Sequence, residues 1–133
     1  MKKTLLFLIL VMAAMTVFSQ SKMSFEVKGP KRLYNQVRVV NESSFQDFHC
    51  RVVVLNEDNS VKEVYGDYEL KKKGDSDSNT NNKKVIKKKT RVGIQFPKKF
   101  TEELSFFVEY KSYPMFNVIV IHLLDPGEGY EEF

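Results

Sequence analysis

Short stretches in which apolar and polar residues alternate, each followed by turn-forming residues, run through most of this chain. Alternation with a period of two places apolar side chains on one face of a β-strand, whereas an amphipathic helix needs a period near 3.6. Downstream of residue 19, no helical pattern persists for three turns. A chain patterned in this way is expected to adopt an all-β fold.

The stretch Phe48–Leu55 is the best candidate for a central strand. Its even-numbered residues share one face and its odd-numbered residues share the other. The second half is rich in β-branched residues, which favour strands, and Asn56, Asp58 and Asn59 then predict a turn. The final stretch, 116–124, is apolar on both faces, as a central strand would be, and is the predicted core partner of Phe48–Leu55.

About seven such stretches, separated by turn signals, predict a single immunoglobulin-like β-sandwich of antiparallel strands, with a small β-barrel as the alternative. The stretches are 23–27, 33–40, Phe48–Leu55, Val61–Leu70, 90–96, 104–110 and 116–124. Within Val61–Leu70, Gly66 predicts a bulge or a close approach of backbone, and Val64 is predicted to face the core. Residues 71–84 contain no apolar residue and predict a long exposed hairpin loop, with 85–96 as the returning arm.

The first 19 residues have the pattern of a secretory signal peptide: Lys2 and Lys3, then a compact apolar run. The run is short for a membrane span, which takes about 20 apolar residues. Cleavage is predicted after Ser19, leaving a β-sandwich domain over 20–125 and an acidic tail over 126–133. We therefore expect an exported protein of bacterial style, periplasmic or extracellular, whose mature chain has no transmembrane segment. An uncleaved N-terminal anchor is the alternative.

Charge is unevenly spread along the chain. The net charge of +4 includes Lys2 and Lys3, so the mature chain is nearly neutral and does not indicate nucleic acid as a partner. Residues 71–91, however, contain nine basic and two acidic residues. They predict either a soluble edge hairpin whose lysines deter aggregation, or a docking surface for an anionic partner. The candidate docking residues are Lys71, Lys72, Lys73, Lys83, Lys84, Lys87, Lys88 and Lys89.

Aromatic residues form a second candidate surface. Phe107 falls on the outward face of its stretch, and Tyr113, Phe116 and Tyr34 lie at strand ends or corners. Exposed planar rings anchor protein partners or stack on sugar rings, although a second core layer would also explain them. The chain has no Trp, which weakens the saccharide interpretation.

No arrangement of residues indicates catalysis. Cys50 is the only cysteine, and its neighbour His49 must point to the opposite face of the strand, so the two cannot form a catalytic dyad. Cys50 is therefore predicted to be a core residue. A zinc site on His49 and His122 would lack further ligands of suitable spacing.

The segment 75–79 resembles the first half of a calcium-binding loop, with oxygen donors at alternate positions. The sixth and twelfth positions of such a loop require Gly and Glu, but they hold Thr80 and Ile86. A solvated loop is therefore predicted, and a looser cation site over 74–82 is left open.

These observations predict a small exported β-sandwich that acts by binding and is not an enzyme, with no cofactor and no metal. The predicted partner is an envelope protein or an anionic or saccharide surface polymer. Two other functions remain open, namely a structural or assembly subunit joined through sheet edges and a carbohydrate-binding module. The oligomeric state is not predicted.

Overall fold

The computed structural model describes residues 17–19, 23–80 and 84–127, and the regular elements among them are all strands. The strands are β1 Met23–Glu26, β2 Leu33–Tyr34, β3 Gln36–Asn41, β4 Phe48–Leu55, β5 Val61–Leu70, β6 Ser76–Thr80, β7 Ile86–Lys87, β8 Arg91–Gln95, β9 Ser105–Ser112 and β10 Asn117–Leu124. Two four-stranded sheets have the orders β1-β8-β4-β5 and β6-β3-β10-β9, and β2 pairs with β7 in a short ribbon. The predicted all-β class is confirmed, with ten strands in place of about seven. In this part of the chain, no helix has the length and apolar character needed to cross a membrane.

One apolar core lies between the two four-stranded sheets. Cys50 of β4 and Ile119 and Ile121 of β10 are fully buried in it. The Tyr68 hydroxyl on β5 donates a hydrogen bond to the Val37 carbonyl on β3 at 3.1 Å, which joins one sheet to the other. This architecture is consistent with the predicted sandwich. One pair, β3 with β10, is parallel, so the expectation of antiparallel strands throughout was wrong.

Strands β4 and β5 have the bounds that the alternation predicted, and the bulge in β5 is confirmed. Val52 and Val53 of β4 lie opposite Gly66 and Val64, which leaves Tyr65 without a directly opposed residue. Because an extra residue shifts the faces of a strand by one position, Tyr65 is buried and Val64 is 37% exposed. The prediction that Val64 faces the core was therefore wrong.

The predicted hairpin from β5 across residues 71–91 does not form. Residues Ser76–Thr80 make β6, which pairs with β3 in the other sheet. β8, the expected return arm, pairs with β4 and β1. The cause is tertiary: β3 buries Val37 and Val39 between the sheets, and its backbone needs a partner on the side away from β10. β6 provides that partner although its residues are ordinary turn formers.

Residues 17–19, which the sequence assigns to the leader, lie beside the end of β8. Phe18 forms a β-bridge with Pro97, and the Arg51 guanidinium lies 4.0 Å from the centre of the Phe18 ring. The rest of the predicted leader and residues 128–133 of the predicted tail lie outside the described residues. The signal peptide and its cleavage therefore stay predictions.

Candidate binding surface

The turn between β9 and β10 presents apolar side chains to solvent. The Tyr113 N–H donates to the Phe116 carbonyl at 2.8 Å, and the Phe116 N–H donates to the Tyr113 carbonyl at 3.4 Å. The two rings stack with their centroids 5.0 Å apart. Between them, Pro114 restricts the backbone to a turn geometry, and Met115 is 87% exposed. A methionine side chain is thus held at the apex of the hairpin.

Two asparagine side chains fix this turn against β2. Asn35 Oδ1 accepts a hydrogen bond from the Asn117 N–H at 2.8 Å, and Asn117 Nδ2 donates to the Leu33 carbonyl at 2.9 Å. As a result, Leu33 and Phe116 line one concavity of about 290 Å³, together with Val85. Leu33 and Val85 are 44% and 43% exposed, so they extend the apolar surface of the turn.

A basic turn borders the apolar side chains. Lys87 lies opposite Leu33 in the β2–β7 ribbon, and the Lys88 N–H donates to the Arg32 carbonyl at 2.9 Å. A second concavity of about 430 Å³ is lined by these four residues and Lys89. Leu33 therefore belongs to both concavities, and no carboxylate is among the residues that line them.

We call this contiguous region the tip surface. Its members are the apolar residues Leu33, Val85, Tyr113, Met115 and Phe116 and the basic residues Arg32, Lys87, Lys88 and Lys89, all of them exposed. The lysines and Tyr113, which the sequence treated as two separate candidates, lie on this one surface. Sequence reasoning missed Arg32, Leu33, Val85 and Met115. The sequence contains one signal that could have indicated this surface: Met115, an apolar residue, directly follows Pro114 at a predicted corner.

Lys89 has a backbone conformation that favours glycine. The Thr90 N–H donates to the Lys87 carbonyl at 3.2 Å and closes a turn in which Lys89 has a φ of 75°. The left-handed region costs a residue with a side chain about 1–2 kcal/mol, whereas glycine adopts it readily. Lys89 therefore lowers the free energy of unfolding relative to glycine at the same position.

Two glycine substitutions separate this strain from the loss of charge. We expect Lys89→Gly to keep the wild-type free energy of unfolding or to raise it by up to about 1 kcal/mol, because relief of strain offsets the added chain entropy. Lys88→Gly removes an equal charge where φ is not positive, and we expect it to lower that free energy by about 0.5–1 kcal/mol. Urea unfolding of both variants measures the difference. A Lys89→Gly variant less stable than Lys88→Gly would contradict the strained turn.

Three of the predicted docking residues lie at the other end of β3: Lys71, Lys72 and Lys73. They form the turn after β5, where Asn41, the last residue of β3, exchanges backbone hydrogen bonds with Gly74 and Asp75. β3 has six residues, so this turn lies about 20 Å from the tip surface. The basic segment of the sequence is therefore divided between two ends of the molecule.

Of the other candidates, Lys84 and Phe107 do not join the tip surface, and Tyr34 is fully buried in the core. The Lys84 ammonium group donates to the Val64 carbonyl on β5 at 3.1 Å. Lys83 lies outside the described residues. The Phe107 ring stacks on His122, with centroids 4.2 Å apart and planes 5° apart, so the ring is outside the core but one of its faces is covered.

His122 connects two carboxylates on the outer face of its sheet. Its Nδ1 lies 3.0 Å from Glu42 Oε2, and its Nε2 lies 3.0 Å from Glu109 Oε1. An ionised carboxylate can only accept a hydrogen bond. The imidazole therefore donates to both carboxylates at once when both of its ring nitrogens carry a proton. Both carboxylates are at least 40% exposed, so each pair contributes at most about 1 kcal/mol to the free energy of unfolding. His49 lies on β4 in the other sheet, so the two histidines do not approach each other.

No group of three or more His, Cys, Asp or Glu side chains among the described residues is placed to hold a metal ion. Cys50 is fully buried, and burial raises the pKa of its thiol far above the ordinary value, so the thiol stays protonated at neutral pH. His49, its neighbour, is exposed on the other face of β4. Cys50 therefore occupies the core position that the sequence predicted.

The carboxylates of the segment that resembles a calcium loop accept backbone hydrogen bonds. Asp77 Oδ2 accepts from the Glu69 N–H at 3.0 Å, and Asp75 Oδ2 accepts from the Lys72 N–H at 3.4 Å. Asp77 belongs to β6, so the segment is in part a strand and not a loop. These contacts give both carboxylates a role in the local fold.

Comparison of this chain with protein-family models, with curated proteins and with solved structures finds no match. The tip surface is therefore the feature of this chain that indicates a function.

Proposed function

We propose that this protein is a small exported, immunoglobulin-like β-sandwich that acts by binding, without catalysis, and that its tip surface docks on an anionic partner in the cell envelope. One observation carries the proposal: five exposed apolar side chains lie together and are bordered by four basic side chains. Single exposed apolar residues are ordinary on protein surfaces, but a contiguous group with a polar rim is typical of an interaction site.

The electrostatics of the tip surface favour an anionic partner. Its basic residues are Arg32, Lys87, Lys88 and Lys89, and no Asp or Glu lines either concavity. The charges on this surface are therefore all of one sign, and such a surface attracts negative groups and speeds encounter with them. The strained backbone at Lys89 supports the same conclusion, because strain of this kind is concentrated at functional sites.

The two alternative functions are supported less well. A carbohydrate-binding module uses broad aromatic platforms, but the chain has no Trp, and stacking on Phe116 and His122 covers one face each of Tyr113 and Phe107. An assembly subunit joined through a sheet edge would use β9, which has eight residues and pairs with β10 alone among the described strands. Concentration-dependent oligomers that persist in tip-surface variants would favour the assembly role.

Two charge-matched variants test the proposal in an affinity capture from the native envelope fraction. We expect the triple change Lys87→Glu, Lys88→Glu and Lys89→Glu to reduce capture of the partner at least tenfold, because it reverses the charge of the tip surface. The control changes Lys71, Lys72 and Lys73 to Glu, which alters the net charge equally at the opposite end of β3. We expect the control to capture as well as the wild-type protein.

Each other result contradicts the proposal. If both triple variants lose capture equally, binding depends on net charge and not on the tip surface. If neither loses capture, the partner binds elsewhere. Thermal unfolding of all three proteins shows whether a loss of capture comes from a loss of fold.

A further inference from the structure

We propose that the anionic partner is a lipid bilayer, on which the tip surface docks peripherally. In this arrangement the Met115 and Phe116 side chains enter the boundary between headgroups and acyl chains, and the basic turn contacts negative headgroups. The inference rests on the proposed function and names the class of partner.

The apex of the hairpin has the chemistry of an interfacial insertion. Met115 is unbranched and flexible, and it is the most exposed apolar residue among those described, at 87%. Tyr113 and Phe116 lie directly beside it, and aromatic residues are favoured at membrane interfaces. Together these three side chains place exposed apolar surface at the apex of the turn.

The backbone of this turn is also suited to a less aqueous environment. Pro114 has no N–H group, and the Tyr113 and Phe116 N–H groups both donate within the turn. Unpaired backbone donors are costly where water is scarce, so a turn in which two of the three backbone N–H groups are paired enters the interface at lower cost. A turn of the same length with all of its N–H groups free would resist insertion more strongly.

The basic side chains lie where headgroups would be. Leu33 connects the apolar turn to Arg32, Lys87, Lys88 and Lys89, so the charges lie to one side of the exposed apolar residues. Each basic residue near an anionic membrane strengthens binding by about fivefold. Apolar insertion combined with basic contacts is the combination that holds peripheral proteins on anionic membranes.

A soluble polyanion or an acidic protein fits the same surface less completely. A polyanion would use the four basic residues but would leave Met115 in water. An acidic protein needs a pocket to receive Met115, in addition to negative groups. A bilayer satisfies both parts of the tip surface without a matching shape, which is why we favour it.

Vesicle sedimentation tests the inference, using protein recovered after expression with its own leader. We expect binding to vesicles of equimolar phosphatidylglycerol and phosphatidylcholine and at least tenfold weaker binding to phosphatidylcholine alone. The double change Met115→Ser and Phe116→Ser is expected to weaken binding at least tenfold. Changing Lys87, Lys88 and Lys89 to Gln is expected to weaken it about 100-fold, whereas the same changes at Lys71, Lys72 and Lys73 are expected to have no effect.

A fluorescence measurement reports insertion directly, because the chain contains no Trp. Met115→Trp places a single probe at the apex, and we expect its emission to shift to shorter wavelength with anionic vesicles and to be quenched by brominated acyl chains. Lys72→Trp, at the opposite end of β3, is the matched control and is expected to show neither change.

The outcomes distinguish the two proposals. Absence of vesicle binding, or vesicle binding that Met115→Ser with Phe116→Ser leaves unchanged, overturns the lipid inference. If capture of an envelope protein or polymer still depends on Lys87, Lys88 and Lys89 in that case, the proposed function stands with a different partner. If capture is also independent of these lysines, both proposals are wrong.

Discussion

Replacing Gly29 with alanine is expected to lower the free energy of unfolding by about 3 kcal/mol, in the upper part of the range for an overpacked core. A Cβ atom at this position would overlap the Tyr34 hydroxyl and would lie 2.6 Å from two ring atoms of Tyr110. Neither tyrosine can move freely. Tyr34 is fully buried, and its ring packs on Tyr110 with centroids 5.4 Å apart. Their hydroxyls accept hydrogen bonds from the Lys31 and Lys28 N–H groups at 3.1 and 2.9 Å.

Gly74→Ala is the control for the Gly29 substitution. Gly74 has a φ of 96° and open space where a Cβ atom would lie, so alanine there costs only backbone strain of about 1–2 kcal/mol. Thermal or urea unfolding of the two variants compares the cost of side-chain crowding at Gly29 with the cost of backbone strain at Gly74. If Gly29→Ala were no less stable than Gly74→Ala, the close packing of Tyr34 and Tyr110 around Gly29 would be wrong.

The Cys50 thiol is expected to react with a maleimide at least about a thousandfold more slowly in the native protein than in denaturant. The residue is fully buried between the sheets, so reaction requires the core to open, at a cost approaching the global free energy of unfolding. Burial also raises the pKa of the thiol, which keeps the reactive thiolate scarce. Mass spectrometry of samples quenched over time measures the rate.

A matched variant moves the cysteine to the surface. Cys50→Ser combined with Ser112→Cys places the thiol at the exposed end of β9, where we expect similar labelling rates with and without denaturant. Labelling of native Cys50 at the rate of this surface cysteine would contradict the assigned core. It would also reopen the question of Cys50 as a nucleophile.

The strands that bury one face could be predicted closely. β4 and β5 have the predicted bounds, and β3, which lies mostly within the predicted stretch 33–40, buries Val37 and Val39 on one face. The reason is that side chains alternate between the faces of a strand, so a half-buried strand leaves its pattern in the sequence. The bulge at Gly66 was also visible, but its effect on Val64 was not, because one extra residue reverses the faces on one side of it.

The candidate surface was predicted only in part. Tyr113 and Lys87 to Lys89 were identified as candidates, but on separate surfaces, and Lys71 to Lys73 were grouped with the wrong end of the molecule. These errors follow from β6, which carries the chain to the second sheet. A strand composed of Ser, Asp, Asn and Thr has no apolar alternation to reveal it, and its place in the sheet depends on backbone pairing with β3.

The sequence alone was enough to predict the all-β class, the central strands β4 and β10, and the core position of Cys50, because burial imposes a local and periodic pattern. Which strands pair and which loops meet depends on the tertiary structure. It brought Leu33, Val85 and Met115, which are far apart in the chain, to the border of one basic turn. Such contacts depend on the sheet order and on the bonds between Asn35 and Asn117, and no local pattern encodes either.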